Sequence, residues 1–121
     1  MGVSFKDLKV WQRSRFLAGK IYIVTKNCFP KEELYGLTLQ IRRAAVSIPS
    51  NIAEGHRRAS NKEFIQFLKI ARGSLAEVET QIIVAGDIHY VDLKIVDEIT
   101  TEIEEIGKMI NGLINSLPSK D

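Results

Sequence analysis

The chain has 121 residues, close to the size of one domain, and its apolar share of 45% and charged share of 26% are ordinary for a globular protein. A single cysteine excludes an intramolecular disulfide and a cysteine-rich zinc site, and only three prolines leave room for long helices. The net charge of +2 conceals a split, because residues 1–72 hold 14 Lys and Arg against 5 Asp and Glu. That asymmetry points either to an anionic partner or to basic and acidic helices that pair within the fold or between subunits.

The first helix is predicted over about residues 5–27, with Ser4 as its N-cap. Its apolar residues recur mainly at the spacing of an amphipathic helix. They are Val10, Leu17, Ile21, Val24 and Cys28. Because Cys28 lies on this apolar face, a buried structural thiol is expected there rather than a nucleophile.

The second helix is predicted over about residues 31–58, after Pro30. Its apolar stripe keeps its phase across Pro49, which favours a kink at that proline over the end of a helix. The alternative is a break and a restart, with Asn51 as N-cap and Glu54 as its capping-box partner. The stripe consists of Leu34, Leu37, Ile41, Ala44, Ala45, Ile48, Ile52 and Gly55.

Two further helices are predicted over about residues 61–86 and 92–117. Ser60 with Glu63 three residues later forms a capping-box pattern for the third helix, and Asp92 is a candidate cap for the fourth. The fourth helix repeats its apolar residues every seven positions from Val96 to Leu117, and Pro118 ends it. Four helices with short connectors predict an all-α, up-down-up-down four-helix bundle that forms one domain over residues 1–121.

A second apolar line lies away from the main stripe on each of the first two helices. One stripe per helix is enough to fill the core of a bundle, and scattered exposed apolar residues are normal. Large side chains aligned on a far face nevertheless favour a contact between subunits, so a homo-oligomer is predicted. The candidate contact residues are Phe5, Phe16 and Ile23 on the first helix, and Tyr35, Leu39 and Val46 on the second.

The sequence gives no pattern for a catalytic, metal or cofactor site, so we do not expect an enzyme. His56 and His89 are the only histidines, and neither follows a glutamate by three residues as the ligands of a di-iron bundle do. Glycines at helical positions, Gly55 and Gly73 among them, are expected to permit close packing rather than to bind phosphate. The first residues do not form a signal peptide and no apolar run is long enough to span a bilayer, so a cytoplasmic protein without membrane contact is expected.

Four segments between Phe5 and Leu117 resemble those of a known family: "FKDLKVWQ", "YGLTLQIRRAAVSIPSNIAEG", "EFIQFLKIARGSLAEVETQ" and "EIGKMINGLINSL". The sequence resembles the bacterial four-helix-bundle proteins encoded in intervening sequences of 23S rRNA genes. The resemblance implies an up-down bundle that assembles into a homopentamer. A related branch, the accessory variability determinant of diversity-generating retroelements, is a basic pentameric barrel that binds nucleic acid and a reverse transcriptase. The chain departs from the family pattern at Leu39 and in the more basic turn "EGHRRAS".

The first functional hypothesis is therefore a homo-oligomer that binds RNA or DNA by phosphate contacts, which give affinity and salt dependence without reading sequence. The second is a scaffold for a protein partner, with no role for nucleic acid. Arginines clustered around one rim would favour the first, and arginines held against carboxylates of the fourth helix would favour the second. The candidate phosphate-binding residues are Arg42, Arg43, Arg57 and Arg58, with Arg13, Arg15, Lys20 and Lys62 in support.

Overall fold

The computed structural model describes residues 4–118 and confirms an all-α bundle. The helices pack in chain order, α1 on α2, α2 on α3 and α3 on α4, and α1 also contacts α4 to close the bundle. None of the helices in this part of the chain is both long and apolar enough to cross a bilayer. The helices are α1 (Lys9–Cys28), α2 (Leu37–His56), α3 (Asn61–Asp87) and α4 (Leu93–Ser116), with short 3-10 turns at Phe5–Asp7 and Lys31–Glu33.

The first helix starts later than predicted, because Ser4 caps a 3-10 turn instead of α1. The hydroxyl of Ser4 accepts from the N–H of Lys6 at 3.2 Å, and the carboxylate of Asp7 accepts from the N–H of Ser4 at 3.2 Å. Leu8 then takes an extended conformation before α1 begins. The capping signal was correct, but it belongs to a separate turn.

The second helix also starts later than predicted, at Leu37, because a 3-10 turn and Gly36 precede it. The carboxylate of Glu33 accepts from the N–H of Leu37 at 3.0 Å and so satisfies a donor at the helix start. Leu34 was expected on the apolar stripe, and this expectation is wrong: it lies before the helix and is 48% exposed.

Helix α2 passes through Pro49 without a break and ends at His56, so its predicted continuity is confirmed. The alternative restart at Asn51 is wrong. Asn51 lies within the helix, where its side-chain amide donates to the carbonyl of Ser47 at 2.8 Å and to the Ser47 hydroxyl at 2.9 Å. The kink at Pro49 stays a prediction.

The predicted starts of the last two helices are confirmed. The hydroxyl of Ser60 accepts from the N–H of Glu63 at 3.1 Å, and the carboxylate of Asp92 accepts from the N–H of Ile95 at 3.0 Å. Between these helices His89 has a φ of 66°, a left-handed conformation that is uncommon outside glycine.

The predicted stripes meet in one core whose largest members are fully buried. Gly55 allows α2 to approach α3 closely, since a Cβ added there would lie 2.5 Å from Cβ of Phe67. Close packing was also expected at Gly73, and this expectation is wrong, because a Cβ there would meet nothing within 4 Å. The fully buried apolar residues include Leu17, Ile21, Ile41, Ile48, Ile52, Leu68, Ile82, Ile99, Ile106 and Ile110.

Candidate nucleic-acid interface

The antiparallel helices turn the charge split of the sequence into a difference between the two ends of the bundle. Residues 4–15, 52–64 and 109–118 meet at one end and carry seven Lys and Arg against three Asp and Glu. Residues 24–37 and 83–98 meet at the other end and carry three Lys and Arg against six Asp and Glu. We call the first of these the basic end, and its predicted phosphate-binding residues are Arg13, Arg15, Arg57, Arg58 and Lys62.

At the basic end, two aromatic rings in contact with each other lie between two arginines, in a row from the end of α2 to α1. The guanidinium of Arg57 lies 5.1 Å from the ring centre of Phe5, which meets the ring of Trp11 edge-on at 5.1 Å. The guanidinium of Arg15 lies 5.2 Å from the ring of Trp11. These contacts fix the orientation of two guanidinium groups at the protein surface.

A second group of contacts surrounds Arg58 at the end of α2. Its guanidinium lies 4.9 Å from the ring of Phe67 and 2.8 Å from the carboxylate of Glu54. The ring of His56 meets the ring of Phe64 edge-on at 5.6 Å. The charge of Arg58 is therefore partly offset by Glu54, while its side chain stays 42% exposed.

Two of the supporting cations lie against carboxylates of α4. Arg13 donates from Nε to Glu102 at 2.7 Å, and this hydrogen bond raises the pKa of the Arg13 guanidinium. Nζ of Lys20 lies 4.0 Å from the carboxylate of Glu98. This is the arrangement that the scaffold hypothesis expects.

The structure does not bring Arg42 and Arg43 to the basic end. Arg42 joins α2 to α1: it lies 4.5 Å from the ring of Tyr22 and donates to the buried hydroxyl of Thr25 at 2.9 Å. Arg43 is exposed beside a shallow cavity of about 290 Å³ between α2 and α3, which Glu77 also lines. The four arginines that the sequence grouped together therefore occupy three different environments.

The predicted contact residues are mostly exposed. Phe16 is 74% exposed, Ile23 62%, Tyr35 86% and Val46 42%. Leu39 is half-buried, and Phe5 is half-buried against Trp11. Phe5 and Tyr35 were expected on the first two helices, but they lie in the segments before α1 and α2, so they do not continue the apolar lines of those helices. Sequence reasoning missed further exposed apolar residues on α3 and α4. Their positions in the helical repeat place them away from the main apolar stripe of each helix, and this signal could have identified them. They are Ile70, Ile83, Val84 and Leu93.

The basic end also contains a surface cavity of about 670 Å³, between α1 and α4. Sequence reasoning missed it, because its lining comes from a 3-10 turn, two turns of α1 and a single residue of α4. Among the described residues, no group of His, Cys, Asp and Glu could hold a metal ion. The cavity is lined by Lys6, Trp11, Gln12, Arg13, Arg15, Phe16 and Glu102.

The model of the family described as 23S rRNA-intervening sequence protein matches residues 6–112. The chain belongs to this family. The matched range contains all of α1, α2 and α3 and most of α4, so it includes most of the basic end and the "RRAAVSIPSNIAEG" segment that carried the resemblance. The resemblance inferred from the sequence is confirmed.

A solved structure similar to this family member supports the fold. It is a protein of unknown function from the S23 ribosomal protein family of Bacteroides thetaiotaomicron, with a TM-score of 0.78 and 25% sequence identity. The match covers 88% of this chain and 99% of that one. A comparison with curated proteins found no match. No activity is attached to the family or to the solved structure, so a function has to be argued from the surface.

Proposed function

We propose that this chain is a non-enzymatic, self-associating helical bundle that binds RNA or another nucleic acid through its basic end. The observation that carries the proposal is the line of Arg57, Phe5, Trp11 and Arg15, where two guanidinium groups lie against aromatic rings. Cations attract the phosphate backbone, while aromatic rings and guanidinium planes are surfaces on which unpaired bases stack. Single-stranded RNA is therefore the ligand that fits this end best.

The candidate residues have different roles in this proposal. Arg57, Arg58 and Lys62 follow one another around the turn from α2 to α3 and contact phosphates. Arg15 contacts the ligand from α1. Arg13 and Lys20 have a secondary role, because they face carboxylates of α4. Arg42 and Arg43 have none at the basic end, because they lie away from it. A cytoplasmic location is part of the proposal, since the RNA ligand would be found there.

Self-association would multiply the basic end. Cyclic assembly gives every subunit the same orientation relative to the symmetry axis, so all the basic ends would lie around one rim. The exposed apolar residues of α1 and α2 support such a contact, and the family resemblance implies five subunits. Several weak phosphate-binding ends on one rim would bind one RNA strand with far higher avidity than a single subunit.

The test is a salt titration of binding to a labelled single-stranded RNA, followed by fluorescence anisotropy. Phosphate contact predicts that the logarithm of the association constant falls linearly with the logarithm of salt concentration, by about 0.7 for each phosphate neutralised. Replacing both Arg57 and Arg58 with glutamine should make this slope shallower by about 1.4 for each subunit bound to the strand, if each arginine contacts one phosphate. It should weaken binding to all RNA sequences equally.

The matched control is the double variant Lys26→Gln and Lys94→Gln, which removes the same charge at the opposite end of the bundle. Both lysines are exposed, so the fold and the slope should be unchanged. The Arg58–Glu54 pair is exposed and adds little to stability, so the arginine variant should keep its helix content. Absence of binding to RNA and DNA at low salt would rule out the proposed function.

The second candidate function is a scaffold that binds a protein partner. The observation that favours it is the pairing of Arg13 and Lys20 with Glu102 and Glu98, which uses basic residues to hold α1 against α4. In this case Arg57 and Arg58 are solvated charges. The scaffold predicts no salt-dependent binding of any polyanion, so the same titration separates the two functions.

A further inference from the structure

The cavity at the basic end is a shallow, open depression whose lining combines aromatic and charged side chains. Its volume of about 670 Å³ lies within the range of about 300–1,000 Å³ that small-molecule sites occupy. Its lining combines two aromatic rings with three cations, one carboxylate and one side-chain amide, which are Trp11 and Phe16, Lys6, Arg13 and Arg15, Glu102 and Gln12. A ligand that matches all of these groups carries a flat ring, hydrogen-bond donors and a negative charge.

The aromatic residues of the cavity provide surfaces for stacking. Phe16 is 74% exposed and offers a free ring, whereas Trp11 is half-buried against the core and Phe5, with the guanidinium of Arg15 5.2 Å from its ring. Unpaired bases stack on such rings and on guanidinium planes. A nucleobase would match the flat ring of such a ligand, and Lys6 and Arg15 in the same lining would be close enough to bind its phosphate.

The polar groups of the cavity supply acceptors for the edge of that base. One oxygen of Glu102 accepts from Arg13 at 2.7 Å, and its second oxygen remains an acceptor. The side-chain amide of Gln12 donates to the carbonyl of Lys6 at 2.8 Å, which fixes its nitrogen and leaves its oxygen as an acceptor. Two acceptors favour a base with an exocyclic amino group, which has two N–H donors, over uracil, whose edge offers only its N3–H.

From these contacts we infer that the cavity binds one unpaired, amino-bearing nucleobase together with its 5′-phosphate. Adenine, cytosine and guanine carry the required amino group. The inference rests on the proposed binding of nucleic acid and adds a ligand subsite to it. The base can belong to an RNA strand or to a free nucleotide, because both present the same chemistry.

Trp11 is the only tryptophan of the chain, so its fluorescence reports on this cavity directly. AMP, UMP and ribose 5-phosphate are titrated into the protein, and fluorescence is corrected for nucleotide absorbance. AMP should quench Trp11 in a saturable way, UMP should bind about tenfold more weakly, and ribose 5-phosphate should not quench. Titration with oligo(A) and oligo(U) shows whether the base is taken from a strand, a free nucleotide or both.

Two variants test the assignment of individual groups. Glu102→Gln replaces an acceptor by a donor and should abolish the preference for AMP over UMP. Arg15→Gln should weaken AMP binding several-fold, whereas Lys26→Gln, with the same charge change at the far end of α1, should leave it unchanged. Phe16 also borders the face proposed for subunit contact, so it is left unaltered, and light scattering checks that subunit number is constant.

The outcomes separate this inference from the proposed function. If labelled RNA binds with the expected salt slope but neither AMP nor oligo(A) quenches Trp11, the subsite is wrong and nucleic-acid binding stands. If AMP quenches but no RNA or DNA binds, the cavity is a nucleotide site and the proposed function is wrong. Equal quenching by AMP and UMP, or an unchanged preference in Glu102→Gln, overturns the choice of base.

Discussion

Arg42 and Arg57 both lie over an aromatic ring, at 4.5 and 5.1 Å, but their surroundings give them different roles. Arg42 also donates to Thr25, which is only 2% exposed, so its guanidinium is committed to the joint between α1 and α2. Arg57 lies past the end of α2, where its ring contact orients it at the surface without enclosing it. The first arginine stabilises the fold, and the second is available to a ligand.

Glu33 shows how one side chain can define the start of a helix. Its carboxylate accepts from the N–H of Leu37 at 3.0 Å and from the hydroxyl of Tyr90 at 2.7 Å, so it links the start of α2 to the connector before α4. Both hydrogen bonds favour the ionised carboxylate. The bond from Leu37, and then the bond from Tyr90, lower the pKa of Glu33.

This lowered pKa predicts a pH dependence of stability. A carboxyl group with a lowered pKa in the folded state stabilises the fold above its unfolded pKa, about 4.3 for glutamate, and this contribution disappears as pH falls through the folded pKa. Glu33→Gln should therefore have a lower melting temperature than the parent protein at pH 7. The difference should shrink progressively below about pH 4.3. Thermal unfolding followed by circular dichroism from pH 3 to pH 7 measures it.

Tyr90→Phe is the matched control for Glu33→Gln. It removes the hydroxyl donor but keeps the ring, whose centre lies 5.5 Å from that of Phe29. Because Glu33 keeps its bond to Leu37, the main cause of its lowered pKa, most of the pH dependence should survive in Tyr90→Phe. A pH-independent difference between the parent protein and Glu33→Gln would contradict the role assigned to this carboxylate.

At the scale of helices, periodicity and capping patterns predicted the number and order of the helices correctly, but they placed the starts of α1 and α2 too early. The stripe of α2 continues through Pro49 because the helix itself does, and Ser60 and Asp92 cap the helices they were expected to cap. The starts of α1 and α2 were missed because residues of a 3-10 turn have the same propensities as a first helical turn. The turn is separated from the helix by Leu8 before α1 and by residues 34–36 before α2.

Helix geometry also explains why the arginine group was predicted only in part. Arg43 and Arg57 are 14 positions apart, which at about 1.5 Å per residue places them about 21 Å apart along a helix axis. The two pairs could therefore never share one site on a single subunit, and the sequence contained that information. The contacts of Arg57 with Phe5 and of Arg15 with Trp11 depend on how the ends of α1 and α2 pack, which periodicity does not specify.

Gly55 sets the distance between α2 and α3 and gives a prediction for the packing of this pair. A Cβ at this position would lie 2.5 Å from Cβ of Phe67 and 3.0 Å from the ring of Phe64, and Gly55 is buried. Gly55→Ala should therefore lower the free energy of unfolding by about 1–3 kcal/mol, the usual cost of overpacking. Urea denaturation at constant m-value measures this change.

Gly73→Ala is the control, because Gly73 is an exposed helical glycine with nothing within 4 Å of an added Cβ. Alanine has the higher helix propensity, so this variant should gain about 0.5–1 kcal/mol. The two substitutions are chemically identical and have opposite expected signs. A stabilised Gly55→Ala would show that α2 and α3 can separate at little cost.

At the scale of the whole molecule, the bundle has two kinds of asymmetry. Its two ends differ in charge, and its sides differ in apolar exposure: Phe16 and Ile23 on α1 are 74% and 62% exposed. A cyclic assembly uses both, because subunits would join through their apolar sides while their basic ends stay on one rim. The arginine pair Arg57 and Arg58 lies away from the proposed subunit contact, whereas Phe16 borders both that contact and the cavity at the basic end.

The double variant Phe16→Asp and Ile23→Asp tests the subunit contact. Both residues are largely exposed within one subunit, so the helices should form normally, whereas Leu39 is half-buried and would confuse folding with assembly. Burying two carboxylates without partners costs several kcal/mol, enough to dissociate the assembly. Light scattering should then give the 13.6 kDa mass of one chain with unchanged circular dichroism.

Leu93→Asp, at a residue 73% exposed at the start of α4, is the control and should keep the mass of the parent assembly. RNA affinity of the dissociated variant should fall sharply, because avidity is lost and because Phe16 also lines the cavity at the basic end. A parent protein of one-chain mass, or a double variant of undiminished mass, would refute a contact through this face of α1.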